Sequence, residues 1–379
     1  MKRSILLIAT MTAMSSASIS QVPDYIVQRK AFNPSVSSIN ISPDGKLLLA
    51  GLANGSFQVL DPESFLSSLE VKEAHTKPVT AMDMPPKMDF IMSAGSKQIK
   101  IWGRDGSLKG IFDGHATTIW NADISQDGKH AVSTAFNKTF LLWDVYNGTV
   151  AAHLRGHEDV CLTACISEDN KLIASGSNDR TVKIWDLESR EVLTTLHGPT
   201  GDIYDVAFSP DSRLVAAASA EKSIRIYNIK EEKLIHVLKG HRAVVRKVDF
   251  SPGGRYLVSA SEDNSLILWD AHTGDKIHPF TENEGAILDV KFHPDGSSFY
   301  SVSSLGELTR WEVNPEIFVL RYYDTPYQED LSADPLFEDK RKGESKKDYQ
   351  QRLDEAAKKR EIIIDRYYQL YLQKGEDTP

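Results

Sequence analysis

One interval governs this chain: Leu60, Trp102, Trp143, Trp185, Tyr227, Trp269 and Trp311 follow one another at 42, 41, 42, 42, 42 and 42 residues. A period of that length means that similar supersecondary units are stacked side by side. The next residue is acidic in five of the seven (Asp61, Asp144, Asp186, Asp270, Glu312); Gly103 and Asn228 stand in the other two. A second ladder, of turn signals, runs ahead of these positions: Ser42-Pro43-Asp44-Gly45, Pro85-Pro86, Gln126-Asp127-Gly128, Glu168-Asp169-Asn170, Pro210-Asp211, Pro252-Gly253-Gly254 and Pro294-Asp295-Gly296. Between turns, runs such as Ile203-Tyr204-Asp205-Val206-Ala207-Phe208 alternate apolar and polar residues, so each unit holds about four short strands joined by hairpins.

A Gly-His pair (Gly114-His115, Gly156-His157, Gly240-His241) precedes the Trp by 28 residues in three units. With these residues the chain resembles the WD40 repeat family over roughly residues 24–320. The resemblance implies an all-β fold, a seven-bladed WD40-type β-propeller of four-stranded antiparallel blades. Physics points the same way, since a unit of four twisted strands cannot bury both faces of its own sheet and must stack on neighbours. Residues 24–29 (DYIVQR) fall where the fourth strand of a repeat belongs. They are expected to pair with the strand around Trp311 and close the ring, which removes the exposed sheet edge.

His157, Ser175, Asp179 and Trp185 recur 84 residues on as His241, Ser259, Asp263 and Trp269. A Ser, His and Asp together suggest hydrolysis, but a catalytic triad is needed once and requires an oxyanion hole besides. The resemblance implies a structural chain of hydrogen bonds instead, indole to Ser, Ser to His, His to the turn Asp. An indole or imidazole buried without partners costs ~1–3 kcal/mol, which such a chain avoids. A third copy, His115, Ser133 and Trp143, has Asn137 for the Asp, and Pro199, Asn283 and Leu305 break the pattern elsewhere. No HExxH or zinc-type Cys spacing occurs, and the nearly constant period leaves no long inserted loop. Catalytic residues, metal and cofactor are therefore not expected.

In the resembling family the narrower face is built from the loops entering the innermost strand and from the second-to-third-strand turns, and partners often bind there. Counted from the Gly-His pairs, that face holds Trp120, Phe136, Val160, Leu162, Asn178, Asp202, Tyr204, Val244, Arg246, Glu262 and Leu288. Trp120, Phe136, Leu162, Asp202, Tyr204, Arg246 and Glu262 are the candidate partner-binding residues, although Leu162, with Val160, Val244 and Leu288, also reads as channel packing. Trp120 is the one Trp outside the repeated Trp position, and Trp, Tyr and Arg dominate interface hot spots. The expected function is a non-catalytic scaffold for a protein partner. Two alternatives stay open: an exported hydrolase or small-ligand-binding propeller using the central channel, and an accessory subunit of an envelope complex. Three or more titratable groups converging in the channel would favour the first.

The ends differ from the repeats. Lys2 and Arg3, the apolar run Ser4-Ile5-Leu6-Leu7-Ile8-Ala9 and small residues down to Ser20 read as a signal peptide over residues 1–20. The expectation is export, periplasmic or secreted. A bacterial source reads better than a eukaryotic one, because Asn40 of a sequon falls inside an expected strand. Loss of Lys2 and Arg3 takes the formal charge from -9 to -11, which disfavours nucleic acid and anionic membrane surfaces as partners. No run approaches a membrane span. Cys161 and Cys165, four apart on one strand, cannot bridge and read as free thiols.

The propeller is expected over residues 21–324, with Glu316-Ile317-Phe318-Val319-Leu320 as a possible extra strand. Residues 325–379, with 11 Lys or Arg and 13 Asp or Glu, read as a charged linker and an amphipathic helix over about 346–373. Ser345 and Asp348 form its cap, and Asp348–Arg352, Asp354–Lys358 and Glu355–Lys359 are supportive pairs. Its face of Ile363, Tyr367 and Leu370 or Tyr371 suits packing on the propeller, partner contact or dimerisation.

Overall fold

The computed structural model describes residues 25–86, 89–338, 341 and 343–376. The expected signal peptide lies outside the described residues. Two compact units divide the chain, Tyr25–Val313 and the segment from Asn314 onward.

In the first unit the alternating runs form strands, and these assemble into seven four-stranded antiparallel sheets. Blades 1 to 6 follow the chain, over residues 36–71, 79–113, 119–155, 161–196, 203–239 and 245–280. Blade 7 is composite. Ile287–Phe292, Ser298–Ser303 and Glu307–Glu312 are completed by Ile26–Ala31, which pairs antiparallel with Glu307–Glu312 and sets Ile26 opposite Trp311. The start of the propeller thus closes the ring, as its position ahead of the first repeat predicts.

The apolar layers lie between blades. Trp143 of blade 3 packs with Met92, Ile101 and Phe112 of blade 2, and Trp185 of blade 4 with Val132 and Phe140 of blade 3. Leu48, Ala50 and Leu52 of blade 1 meet Tyr300, Val302 and Leu308 of blade 7. Burying a Leu, Ile or Phe in such a layer contributes ~1.5–3 kcal/mol. The Gly of each Gly-His pair follows from the same packing: a Cβ on Gly156 would stand 2.9 Å from Trp185 Cη2, and one on Gly114 2.8 Å from Trp143 Cη2. Cys161 and Cys165 are free thiols.

Every innermost strand carries a register shift next to its first residue: Val36/Ser38, Val79/Ala81, Ile119/Asn121, Cys161/Thr163, Ile203/Asp205, Val245/Lys247 and Ile287/Asp289. Each shift leaves one residue outside the ladder: Ser37, Thr80, Trp120, Leu162, Tyr204, Arg246 or Leu288. A bulge of this kind bends the strand and re-aims the extra side chain. Five of the seven bulge residues are bulky.

The second unit corrects three expectations. Residues 316–320 are helix, not strand: α1 spans Pro315–Ser332, with Asn314 Oδ1 accepting the N–H of Glu316 at 3.0 Å and Pro315 in the first turn. The propeller unit accordingly ends at Val313, not at 324, and helix rather than linker opens the C-terminal segment. The second helix, α2, spans Lys346–Glu376, and Ser345 Oγ accepts the N–H of Asp348 at 3.1 Å. Its aromatic face is occupied within the unit. Phe318 stacks on Tyr371 at 5.1 Å and Tyr323 lies 5.4 Å from Tyr367. Val319 and Tyr327 share a core with Ile363 and Tyr367. Tyr371 is the buried member of the Leu370/Tyr371 alternative. Arg352 and Lys359 turn to residues ahead of α2: Arg352 Nε donates to Glu344 at 2.9 Å, and Lys359 pairs with Asp334 at 3.2 Å. Arg360 and Tyr327 both donate to the buried Glu316 carboxylate.

Candidate functional site

The bulges decide where the candidate binding residues point. Trp120, released from its ladder, is 49% exposed and lies beside Phe136, which is 60% exposed; their ring centroids are 6.4 Å apart. In blades 5 and 6 the bulge residues Tyr204 and Arg246 meet, with the guanidinium 4.5 Å from the ring centroid. Arg246 Nε donates to Glu262 Oε1 at 2.7 Å, which fixes the guanidinium over the tyrosine. Leu162 sits half-buried on blade 4, its carbonyl accepting from Thr134 Oγ1 at 2.8 Å, and the Asp202 carbonyl accepts the N–H of Ala220 at 2.9 Å. The seven candidates therefore form two clusters, Trp120 with Phe136 and Tyr204 with Arg246 and Glu262, with Leu162 and Asp202 on the strands and loops beside them. Ser37 and Thr80, the bulge residues of blades 1 and 2, donate to backbone carbonyls.

The innermost strands enclose a cavity of about 460 Å³. Lining it, Asp83 accepts the N–H of Ile124 (3.2 Å), Asp123 that of Ile166 (2.7 Å), Asp205 that of Val248 (3.1 Å), Asp249 that of Phe292 (2.7 Å) and Asp289 that of Ile39 (2.9 Å). Asn40 donates to the Met82 carbonyl at 3.1 Å and Thr163 to Asp205 at 3.2 Å. Each of the seven blade junctions is thus bridged by an inner-strand side chain.

Lys247 pairs with Asp205 at 3.0 Å and Lys291 with Asp249 at 2.7 Å. Burial pushes the Asp123 carboxyl up to about 8, the Asp83 carboxylate beside it adding to the rise, and burial raises Asp83 as well. Burial also raises Asp249 and takes Asp289 up to about 6. Burial opposes the charge on both lysines, but the carboxylates around them outweigh it and hold the ammonium groups charged. Titratable groups do converge in the channel, the feature a ligand-binding reading calls for. Their oxygens, however, are engaged in joining one blade to the next. Among the described residues no group of three His, Cys, Asp or Glu is arranged to hold a metal ion.

In blade 4, Trp185 Nε1 donates to Ser175 Oγ at 2.8 Å, Ser175 Oγ lies 2.8 Å from His157 Nε2, and His157 Nδ1 lies 2.8 Å from Asp179 Oδ2. Burial lowers the pKa of His157, so we assign the neutral ring with its proton on Nδ1 facing the carboxylate and Nε2 accepting from Ser175. Blade 6 repeats the geometry: Trp269 to Ser259 at 2.8 Å, Ser259 to His241 at 2.7 Å, His241 to Asp263 at 3.0 Å. Ser175 and Ser259 are both 0% exposed, so neither hydroxyl can reach a substrate.

The WD domain, G-beta repeat family matches residues 66–103, 106–144, 148–186, 190–228 and 232–270, a little over half of the chain. The chain belongs to the WD40 family. The LEC14B protein of Lithospermum erythrorhizon is 31% identical to it over 117 residues, 29% of this chain and 24% of that protein. Eukaryotic translation initiation factor 3 subunit I of Schizosaccharomyces pombe is 32% identical over 80 residues, 21% of this chain and 24% of that one. U3 small nucleolar RNA-associated protein 12 of Saccharomyces cerevisiae is 30% identical over 113 residues, 29% of this chain and 12% of that one. This WD40 chain spans about a quarter or less of the length of these relatives. All three are eukaryotic, and they lend no support to the expected bacterial source.

The WD40 match also explains the misses. Each matched stretch runs from the outer strand of one blade into the third strand of the next, so every sequence repeat covalently links two blades. Blades 1 and 7, most of whose residues lie outside the matches, carry Leu60, Asn283 and Leu305 where the pattern lapses. Blade 2 holds a chain that sequence reasoning missed: Trp102 Nε1 donates to Ser93 Oγ at 2.8 Å, and His75 Nε2 lies 2.8 Å from the same oxygen. His75 precedes Trp102 by 27 residues and follows Ala74, not Gly. The missing residue falls in the turn at Ser96-Lys97, which has no Asp, and His75 Nδ1 has no hydrogen-bond partner among the described residues. In blade 5 Pro199 and Tyr227 replace the His and Trp, and Tyr227 Oη donates to the His197 carbonyl at 3.1 Å. The inner-strand aspartates went unread as well, although Asp205 and Asp289 stand 84 residues apart in the repeat.

Proposed function

We propose that this WD40 protein is a non-catalytic docking platform, binding a protein partner on the face where the loops enter the innermost strands. One observation carries the reading: five of the seven inner-strand bulges present Trp120, Leu162, Tyr204, Arg246 and Leu288 at that face. A bulge frees a side chain from sheet packing, and a stable fold has no use for a Trp left 49% exposed there. The non-catalytic part is supported by the buried Ser hydroxyls and by channel carboxylates spent on blade junctions. Two relatives bear the names of a factor subunit and of an associated protein, names that fit components of larger assemblies.

The proposal includes export, on the basic, apolar and small-residue order of residues 1–20, and it excludes nucleic acid as the main partner on the formal charge of -9. No described helix is long and apolar enough to cross a membrane. The test is affinity capture with Trp120→Ala, Tyr204→Ala, Arg246→Ala combined in one chain. Trp120 is exposed, Tyr204 and Arg246 are half-buried, and none of the three belongs to the inter-blade apolar layers, so the variant should keep its melting behaviour and lose the partner that the wild type captures. Undiminished capture by the folded variant would move the site off this face.

A further inference from the structure

The binding face is not uniform in charge. In blades 2 and 3 the loops and turns on that side are residues 72–78, 96–97, 114–118 and 136–138, which contain four lysines, Lys72, Lys77, Lys97 and Lys138, against one carboxylate, Glu73 at the outer-strand end. In blades 4 to 7 carboxylates outnumber basic residues at the same positions: Glu158, Asp159, Asp202, Glu221 and Glu262, among others, against Arg180, Lys222 and Arg242. The basic part is one connected surface. Thr76 and Ser96 hydroxyls lie 2.8 Å apart, and the Ser96 carbonyl accepts the N–H of Ile119 at 2.7 Å. Lys77 Nζ donates to Thr118 at 3.1 Å, and Thr117 accepts the N–H of Phe136 at 3.1 Å. Those bonds tie the loops that carry Lys77 and Lys97 to the segment Thr117–Trp120, and Lys138 follows Phe136 by two residues; all three lysines are exposed.

We propose that this ledge on blades 2 and 3 is the anchoring site for the partner, and that it takes a short acidic peptide segment with an aromatic or aliphatic anchor residue. The proposal rests on the docking reading above and sharpens it. Two exposed rings 6.4 Å apart offer an apolar platform that gains most from a flat or branched apolar side chain. Three lysines on these loops, in a chain of net charge -9, select carboxylates beside that anchor and repel basic segments. The acidic remainder of the face sets the direction, because an extended segment continuing past blade 3 must lose its negative charge on reaching Glu158 and Asp159. A single-stranded nucleic acid would also stack on Trp120 and Phe136, but its unbroken phosphate charge would run onto the same carboxylates.

The experiment is a selection of short random peptides displayed on phage against the folded chain, followed by fluorescence binding of the selected peptides. Three variants are compared with the wild type: Lys77→Glu, Lys97→Glu, Lys138→Glu together; Trp120→Ala; and Tyr204→Ala with Arg246→Ala. The expected peptides place Asp or Glu on both sides of a Trp, Phe or Leu. Their affinity falls about tenfold or more in the charge-reversed variant and in Trp120→Ala, and it weakens as salt is raised from ~0.05 M to ~0.5 M. Peptides that are neutral or basic, or no peptides at all, overturn the acidic-segment proposal. Peptides lost only with Tyr204 and Arg246 overturn the ledge and leave the docking face standing, whereas peptides unaffected by all three variants sink both. Binding of a labelled oligouridine, abolished by the charge reversal and unmatched by any peptide, would assign the ledge to nucleic acid instead.

Discussion

The Asp289 carboxylate accepts the backbone N–H of Ile39 at 2.9 Å across the junction of the last blade and the first. Its other oxygen takes the N–H of Val290 at 2.9 Å, so one buried side chain satisfies two backbone donors that the sheets leave over. Asp289→Leu should therefore cost ~1–3 kcal/mol, the penalty of buried unpaired donors. Asp289→Asn, which keeps an acceptor, should cost less. Chemical denaturation of both variants checks the order.

The bonded chains make a second stability contrast. Trp185→Ala removes a side chain 2% exposed and strips a donor from Ser175, for an expected loss of ~3–5 kcal/mol. Leu305 is 61% exposed, and Leu305→Ala should stay within ~0.5 kcal/mol of the wild type. Equal shifts in melting temperature would contradict the assignment of Trp185 as a blade-holding residue.

Closure of the ring can be tested by deletion. Without residues 21–30, most of the strand that pairs with Glu307–Glu312 is gone, which leaves an unpaired edge. The truncated chain should aggregate or unfold over a broader transition. A monomer that unfolds as sharply as the full chain would show that the pairing of Ile26 with Trp311 is dispensable.

The channel predicts a pH dependence with a definite sign. Asp123 holds its proton up to about 8 in the fold, against about 3.9 for an unfolded Asp. The folded state thus binds that proton more tightly, and the associated stability is full below about pH 4 and is lost as pH rises through about 8. Asp179 runs the other way. Burial raises it, but bonds from Thr181, Glu158 and His157 outweigh that and lower its pKa, so its contribution is present above about pH 4 and lost as pH falls further. Asp123→Asn keeps an acceptor for the Ile166 N–H and abolishes the Asp123 titration. Its melting temperature should gain on the wild type between about pH 5 and about pH 8, a comparison in which Asp179 cancels. A constant offset across that range would contradict the raised Asp123 carboxyl.

The propeller was legible because its largest energetic unit, the interblade Trp layer, recurs at fixed spacing and needs no knowledge of neighbours. His157 and Asp179 could be read for the same reason. His75 could not, since one residue lost from the turn at Ser96 moved it out of phase. The junction aspartates and the bulges depend on where the next blade lies, which a linear pattern of apolar and polar residues does not encode. Helix α1 was obscured by the run Ile317–Leu320, four apolar residues that suit a strand as well as a buried helix. The cap at Asn314 and the proline after it were the overlooked signal. Tyr371 and Tyr367 were correctly placed on one face, but the partner of that face is α1, which the sequence reading had not drawn.

Export is tested at the N-terminus. Cleavage after Ser20 should give a mature chain beginning at Gln21, read by Edman degradation or by intact mass of the native protein. A native protein that retains Met1 to Ser20 would end the export proposal and leave the docking platform untouched.

The docking face is tested most directly by photo-crosslinking in the native host. Benzoylphenylalanine replaces Phe136, 60% exposed beside Trp120, in one chain and Lys46, 79% exposed in a first-to-second-strand turn at the other end of its blade, in another. The account predicts that irradiation joins a partner protein to position 136 and not to position 46. A partner captured from position 46 alone would contradict it.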